Sequence, residues 1–158
     1  MGQEIERKFL VRGEFKSHAF HAARVTQGYL SSVPDRVVRV RVTGEKGFIT
    51  VKGPGDASGV KRFEWEKEIP ADEACELLVL CEPGVIEKTR YLVKVGKHVY
   101  EVDEFHGPRE GLVIAELELA DEEELFERPD WLGEEVTGNP AYYNTALARG
   151  YREEQAGG

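Results

Sequence analysis

The chain contains little cysteine. Among its 158 residues are two cysteines, Cys75 and Cys81, both in the segment CELLVLC. They do not form a CxxC pair and no histidine stands near them in the sequence, so the spacing favours neither a zinc site nor a disulfide. We expect two small buried side chains on an apolar helix.

Long apolar runs are absent as well. No segment approaches the roughly 18 consecutive apolar residues that a membrane-spanning helix needs. The first charged residue is Glu4, which is unlike the beginning of a secretory signal. We therefore expect a cytoplasmic protein that has no membrane partner.

Positive charge is in short supply. The chain has 21 lysines and arginines against 30 aspartates and glutamates, which gives a formal net charge of -9. Nucleic-acid phosphates reward surplus Lys and Arg, so a nucleic-acid partner is not expected. Total charge does not exclude a basic pocket inside an acidic shell. The glycine-rich segment GPGDASG lacks the Gly-Lys-Ser/Thr ending of a P-loop and is expected to be a loop.

Alternating polar and apolar residues predict a strand-rich domain over residues 1–150, followed by a flexible tail over 151–158. Two short turns, GEKG and VGKH, each separate two strands as a hairpin. The predicted strands cover residues 3–11, 24–31, 35–44, 47–53, 60–69, 85–95, 98–105 and 112–120.

Three helices are predicted from capping signals. One runs through CELLVLC with Asp72 as its N-cap, and a second covers DEEELFER with Asp121 as its N-cap. The third begins at Asn139, which is followed by Pro140, and ends at Gly150. This last helix could plug one end of a barrel or pack on its outer wall.

The polar face of each strand is charged, and several strands carry one sign only. Arg39 and Arg41 share a face in DRVVRVRV, and Glu116 and Glu118 share a face in VIAELEL. A solvated face of an antiparallel sheet explains any one of these strands. The set as a whole is harder to explain in this way, because neighbouring like charges repel unless a counter-charge or ligand lies close by.

About eight antiparallel strands can close into a barrel whose lumen holds side chains or one small ligand. We predict a mainly β (α+β) fold: an eight-stranded antiparallel closed barrel with a charged lumen and a few outer helices. Dry, unpaired charges would make such a lumen costly. Basic side chains suit phosphate oxygens, and carboxylates suit Mg²⁺ or Mn²⁺. The pattern therefore predicts a polyphosphate complexed with a divalent cation.

The opening residues Glu4-Ile5-Glu6-Arg7-Lys8 resemble the ExExK signature of the CYTH superfamily, the triphosphate tunnel metalloenzymes. The segments QGYL, EKTRY, FERPDWLG and VTG…YYN make the chain most similar to the small bacterial members, which act on inorganic triphosphate. Charged residues that fit the family follow in order: Arg39, Arg41, Lys52, Arg62, Glu64, Lys88, Arg90, Asp103, Glu116 and Glu118.

This resemblance implies a role for each lumen residue. Glu64 and Glu101 are expected to support the other charged lumen residues. In similar enzymes a tyrosine beside a lysine helps to activate water, and Tyr29 in QGYL is the candidate here. Packing is an equally open role for the tyrosine. The implied metal ligands are Glu4, Glu6, Asp103, Glu116 and Glu118. The implied triphosphate-binding residues are Lys8, Arg39, Arg41, Lys52, Arg62, Lys88 and Arg90. The implied catalytic residues are Lys8, Tyr29 and Lys88.

We therefore expect an enzyme that hydrolyses inorganic triphosphate (tripolyphosphate) with Mg²⁺ or Mn²⁺ as cofactor. Alternatives are an adenylyl cyclase, a thiamine or nucleoside triphosphatase using the same tunnel, and a polyphosphate-binding module without turnover. The expected partner is a small molecule that contains a triphosphate. A homodimer is left open.

Overall fold

The computed structural model describes residues 2–58 and 60–148 of the chain. Within these residues it contains nine strands, three short 3₁₀ helices (Lys16–His18, Gly107–Arg109 and Pro140–Tyr142), the helix α1 (Ala71–Val79) and a helical segment over residues 144–148. The strands are β1 (Gly2–Val11), β2 (Ala19–Val33), β3 (Arg36–Thr43), β4 (Lys46–Gly55), β5 (Lys61–Pro70), β6 (Ile86–Val95), β7 (His98–Phe105), β8 (Val113–Glu118) and β9 (Leu132–Glu135).

Eight of these strands form a closed antiparallel barrel. The hydrogen-bonded order is β5-β4-β3-β2-β6-β7-β8-β1, and β1 pairs with β5 to close it. β9 adds to the outer end of β1, beyond Phe9. The predicted closed eight-stranded barrel is confirmed.

All eight predicted strands are present, and the turns at Gly44 and Gly96 connect hairpins as expected. Both glycines have positive φ, 59° and 62°, which a side chain would disfavour. β2 begins five residues earlier than the prediction of 24, because it extends to pair with β6 as far as Ala19. The sequence pattern did not predict β9, which is four residues long.

The helices are less well predicted. α1 covers the start of CELLVLC, but Pro70 precedes it and Asp72 lies in its first turn, so the predicted N-cap is wrong. Cys75 is exposed and Cys81 is half-buried, so the expectation of two buried thiols is wrong. None of the helices among the described residues is long and apolar enough to cross a membrane.

The predicted helix over DEEELFER is wrong, and this segment forms only a turn. The Asp121 carboxylate accepts a hydrogen bond from the Glu123 amide at 2.8 Å, and the Glu124 carboxylate accepts one from the Ala120 amide at 2.8 Å. Glu124 also lies 2.5 Å from His98 on β7. These side chains bind backbone groups locally and so compete with a helix.

The main apolar core lies outside the barrel wall. Phe9, Tyr100 and Val102 point outward from β1 and β7 and pack beneath Phe15 and Trp131, which come from irregular segments. Tyr100 meets the Trp131 ring edge-on at 5.4 Å. The apolar faces therefore point outward as expected, but irregular chain covers most of this core, while α1 packs beside β3 and β4.

A second apolar cluster closes one end of the lumen. Ile86, Phe105 and Ile114 share the inward faces of their strands with charged residues further along, and Leu147 and Ala148 pack against them. Residues 144–148 are helical, so the C-terminal segment plugs this end of the barrel. The predicted start at Asn139 is a 3₁₀ turn, in which the Asn139 side chain accepts from the Ala141 amide. The predicted end at Gly150 and the predicted tail lie outside the described residues.

The contact between α1 and β4 gives a stability prediction. A β-carbon at Gly47 would lie 2.5 Å from the Ala74 β-carbon, and Ala74 is buried on the inner side of α1. Gly47→Ala should therefore lower the free energy of unfolding by about 1–3 kcal/mol, because the helix must move away from the sheet. Urea denaturation measures this.

Gly55→Ala on the same strand is the matched control. A β-carbon there meets only the Lys61 carbonyl oxygen at an ordinary 3.5 Å. This variant should be neutral or slightly more stable, since alanine restricts the unfolded chain. Equal stability losses in the two variants would contradict the proposed clash.

Candidate active site

The charged faces of the strands point into the barrel. On β1 and β8, Glu6 stands opposite Glu118, and Lys8 stands opposite Glu116. The inward charged residues Lys8, Arg39, Lys88, Asp103 and Glu116 are all buried, with exposures of 9% or less. A charged lumen, which the alternating pattern predicted, is thus present, and each charge in it needs a partner or a ligand.

Lys88, Arg90 and Asp103 form a closely spaced ion cluster in the lumen, in which Lys88 makes an ion pair but no well-directed hydrogen bond among the described residues. The Arg90 guanidinium donates two hydrogen bonds of 2.8 Å to the two oxygens of Asp103, and the Lys88 ammonium lies 2.7 Å from Asp103 Oδ2. Arg90 also donates to Glu101 at 3.0 Å. Burial alone would raise the pKa of Asp103, but Arg90 and Lys88 lower it below its usual value. Both oxygens of Asp103 therefore already face cations, and its role as a metal ligand stays a prediction.

Arg39 and Arg41 on β3 are only weakly paired. The nearest carboxylate, Glu66, lies 3.9 Å from Arg39 and 3.6 Å from Arg41, and it accepts a closer hydrogen bond of 2.7 Å from Thr50. The Nε atoms of both arginines are buried and have no hydrogen-bond partner among the described residues. Burial, then Arg39 and Arg90, lower the pKa of Arg41 to about 10. Among the described residues these two guanidiniums therefore share one carboxylate at the long end of ion-pair distance.

Two other cations rest on neutral acceptors. The Lys8 ammonium donates to the Tyr142 carbonyl oxygen at 3.0 Å. Arg62 donates to the carbonyl oxygens of Gly53 at 2.8 Å and Pro34 at 3.2 Å. A carboxylate or phosphate oxygen is a stronger acceptor than a carbonyl, so an anionic ligand would bind these cations more tightly than the protein does.

Lys52 joins the basic and the acidic walls. Its ammonium lies 3.1 Å from both oxygens of Glu4 and 3.4 Å from Glu64. Burial alone would lower the pKa of Lys52, but Glu4 and Glu6 raise it. Lys52 is therefore held in its charged form beside the carboxylates.

In the acidic wall, burial and mutual repulsion raise the pKa of three carboxyl groups, while that of Glu116 is lowered. Burial, and then Glu116 and Glu4, raise the pKa of Glu6 well above its usual value, and burial and Glu64 raise that of Glu4 to about 7. Burial and then Glu4 also raise the pKa of Glu118. Burial alone would raise that of Glu116, but Lys8 and a hydrogen bond with Glu6 hold it well below the usual range. Glu6 and Glu116 are thus joined by a hydrogen bond at a position where a divalent cation could bind instead.

These carboxylates offer the hard oxygen donors that Mg²⁺ and Mn²⁺ prefer. Among the described residues, no three acidic, histidine or cysteine side chains already converge in metal-binding geometry. The donor set of Glu4, Glu6, Glu116 and Glu118 nevertheless fits a divalent cation in its chemistry, because a cation would take the place of the protons that the carboxylates now retain.

A cavity of about 440 Å³ opens along this lumen. Glu4, Lys8, Arg39, Lys52 and Arg62 all line it. The C-terminal segment supplies further lining residues, including Thr137 and Tyr143, which lie in the family-like segment VTG…YYN but were assigned no role in the site from the sequence. They belong to no strand of the barrel, so the alternation that marked the other residues could not reveal them.

Tyr29 also lines the cavity, while its ring packs in the apolar cluster at the plugged end. Burial raises the pKa of its hydroxyl, so this group stays protonated at neutral pH. Both roles that were left open for Tyr29, packing and contact with a ligand, are compatible with this position.

The model of the CYTH domain family matches residues 2–151, nearly the whole chain. The chain belongs to the CYTH family.

Relatives match this CYTH protein over almost the whole chain. It is 49% identical over 150 residues to an inorganic triphosphatase of Acetivibrio thermocellus, covering 94% of this chain and 95% of the relative. It is 38% identical over 149 residues to an inorganic triphosphatase of Nitrosomonas europaea, covering 92% and 96%. The crystal structure of the inorganic triphosphatase NE1496 superposes with a TM-score of 0.65 at 36% identity, covering 92% of this chain and 97% of that one. The resemblance seen in the sequence is confirmed.

Lys88 should give this CYTH protein a characteristic dependence of stability on pH. Burial lowers the pKa of Lys88 to about 8 from a usual 10.5. Between these values the folded state binds fewer protons at Lys88 than the unfolded state, so raising the pH favours folding. The unfolding free energy of the wild type should therefore rise relative to Lys88→Met, by at most about 1.4 kcal/mol per pH unit.

Chemical denaturation of both proteins from pH 7.5 to 10 tests this. The other titrating groups remain in both proteins, so most of their contributions cancel in the difference. Lys94→Met, at an exposed position on the same strand, is the control and should follow the wild type in parallel. Parallel curves for Lys88→Met as well would contradict the lowered pKa.

Proposed function

We propose that this CYTH protein hydrolyses inorganic triphosphate to orthophosphate and pyrophosphate. The observation that carries the proposal is the weakly paired Arg39 and Arg41, enclosed in a lumen whose other wall is acidic. Two relatives that match almost all of the chain are named inorganic triphosphatases. A linear, multiply charged anion suits a lumen that has cations on several strands.

Substrate binding is proposed for the seven lumen cations, which fall into two groups. Arg39, Arg41, Lys8 and Arg62 have no close carboxylate partner within residues 2–58 and 60–148 and would bind the phosphate oxygens directly. Arginine adds to this a planar set of donors that matches two oxygens at once. The other three are already paired with carboxylates and would contribute mainly positive potential: Lys52, Lys88 and Arg90.

Metal binding is proposed for the acidic wall, with Glu4, Glu6, Glu116 and Glu118 as ligands and Asp103 as a further one. Mg²⁺ or Mn²⁺ is the proposed cation. The chemistry that a divalent cation supplies in such a site is neutralisation of charge on phosphate oxygens. In the protein alone, burial raises the pKa of Glu6 well above its usual value, whereas Lys8 holds the pKa of Glu116 well below it.

The proposed reaction is attack of water on a terminal phosphorus. The water oxygen forms a bond to phosphorus, the bridging P–O bond breaks, and pyrophosphate leaves with the electron pair. Lys88 has its pKa lowered to about 8 by burial, so it can hold or release a proton near neutral pH. The attacking water must give up a proton, and Lys8 and Lys88 are the proposed groups that accept or donate protons in this step. Tyr29 would donate a hydrogen bond from its hydroxyl.

A cytoplasmic location stays a prediction, and so does the absence of a nucleic-acid partner. The oligomeric state stays open.

The first test of the function uses the two arginines. Purified protein with tripolyphosphate and Mg²⁺ or Mn²⁺ should release phosphate, and Arg39→Ala/Arg41→Ala should lower kcat/KM at least about 100-fold, because two charge-assisted contacts are lost. Arg24→Ala, an exposed arginine on β2, is the control and should retain full activity.

A substrate panel separates the alternatives. Tripolyphosphate should exceed ATP and thiamine triphosphate in kcat/KM. Formation of cyclic AMP would favour a cyclase, and tight binding of tripolyphosphate without turnover would favour a binding module. Phosphate release that does not differ between the wild type and the double arginine variant would overturn the proposal.

The second test concerns metal and protons. The pKa of Glu4 is raised to about 7 and that of Glu6 well above its usual value, so metal binding must displace protons below pH 8. The affinity for Mn²⁺, measured by calorimetry without substrate, should fall as the pH decreases from 8 to 6. Glu6→Gln should weaken binding at every pH, whereas Glu122→Gln at the exposed turn should not. An affinity that stays constant over this range would contradict the ligand assignment.

A further inference from the structure

Gln27 is a buried polar residue in the lumen wall that the proposed mechanism does not use. It lies on β2 between the inward-facing Val25 and Tyr29, and stands opposite Arg41 on β3 and Ile86 on β6. Its exposure is 0%, and neither Nε2 nor Oε1 has a hydrogen-bond partner among the described residues. An amide in this state needs an explanation, because most buried polar atoms in folded proteins are hydrogen-bonded.

The energetic cost of this arrangement is considerable. A buried donor or acceptor without a partner costs about 1–3 kcal/mol, and an apolar side chain of the same size would avoid the cost. The buried Nε atoms of Arg39 and Arg41, on the adjacent strand, also have no hydrogen-bond partner within the described part of the chain. The amide and the two guanidiniums therefore face one lumen on neighbouring strands, and each has polar atoms that a polar ligand could bind.

We propose that Gln27 is a further substrate-contacting residue, an inference that rests on the proposed triphosphatase function. Its Nε2 donates to an oxygen of the phosphoryl group that Arg39 and Arg41 bind. Phosphate oxygens only accept, so Oε1 must face a donor, and we assign that donor as the attacking water.

The chemistry of the neighbouring side chains supports the assignment of Nε2 to a phosphate oxygen and of Oε1 to the attacking water. Arg39, Arg41 and Lys88 have donors and no acceptor when charged. Gln27 Oε1 adds a neutral acceptor to this wall of donors. A water that donates one hydrogen to Oε1 keeps a lone pair free for phosphorus, and a neutral acceptor orients it without repelling the phosphate.

The test is Gln27→Met, which keeps the length of the side chain and removes the amide. The Kd for tripolyphosphate, measured by calorimetry without metal, should rise roughly tenfold, and kcat for its hydrolysis should fall roughly tenfold or more. The Tm of the free protein should be unchanged or higher, because an unpaired amide has been replaced by an apolar group. The rise in Tm that tripolyphosphate produces should shrink.

Two further variants complete the design. Thr26→Val changes a polar side chain on the opposite face of the same strand and should leave Kd and kcat unchanged. Gln27→Glu keeps the size and polarity but replaces the donor by an acceptor, so it should weaken binding more than Gln27→Met does. It also keeps the test decisive if the methionine variant does not fold.

Each result bears on one conclusion. A wild type that neither binds nor hydrolyses tripolyphosphate overturns the proposed function and the inference with it. An active wild type with an equally active Gln27→Met overturns the inference alone. A loss confined to kcat overturns the phosphate contact, and a loss confined to Kd overturns the water contact. A fall in Tm with Kd and kcat unchanged would make the amide a support of the fold only.

Discussion

The ion cluster of Lys88, Arg90 and Asp103 is the interaction on which the charged lumen depends. Lys88 and Asp103 are almost fully buried, and neither could remain charged alone in this position. Arg90 forms a bidentate pair with Asp103 and extends to Glu101, which links strands β6 and β7 across the wall. Because these charges neutralise one another within the wall, the barrel can close around a polar interior.

Elsewhere in the lumen the charged side chains neutralise one another only in part, and the excess charge of each sign lies on different strands. On β3, Arg39 and Arg41 face a single carboxylate that is engaged with Thr50. On β1 and β8, carboxylates crowd together, and burial raises the pKa of Glu6 until it keeps a proton. Among the described residues, one wall therefore has too few anions and the other too few cations to neutralise it fully. A phosphate chain complexed with a divalent cation has the charges to fill both gaps, whereas either component alone would fill one.

Much of this could be predicted from the sequence, because both signals are periodic. Alternation with a period of two marks strands, and the sign of each charged row, such as Arg39/Arg41 or Glu116/Glu118, survives folding unchanged. Eight strands and most of the lumen residues were found in this way. The segment at Asp121 was misread as a helix because its acidic residues bind local amides and His98, which composition does not reveal. β9 is only four residues long and the cavity residue Thr137 lies in a turn, so neither carries a clear periodic signal.

The sequence does not show which charged side chains pair with each other in the fold. This pairing separates residues that look equivalent in the alternating sequence pattern. Lys88 and Arg39 both appear as basic residues on a charged strand face, yet Lys88 lies 2.7 Å from a carboxylate and Arg39 lies 3.9 Å from one. The first is neutralised within the protein and the second is not. Gln27 has no charge and so did not belong to the charged pattern in the sequence. Its amide, which has no hydrogen-bond partner among the described residues, lies on the strand next to these arginines. The residues that await a ligand are thus identified by the partners they lack rather than by their residue type.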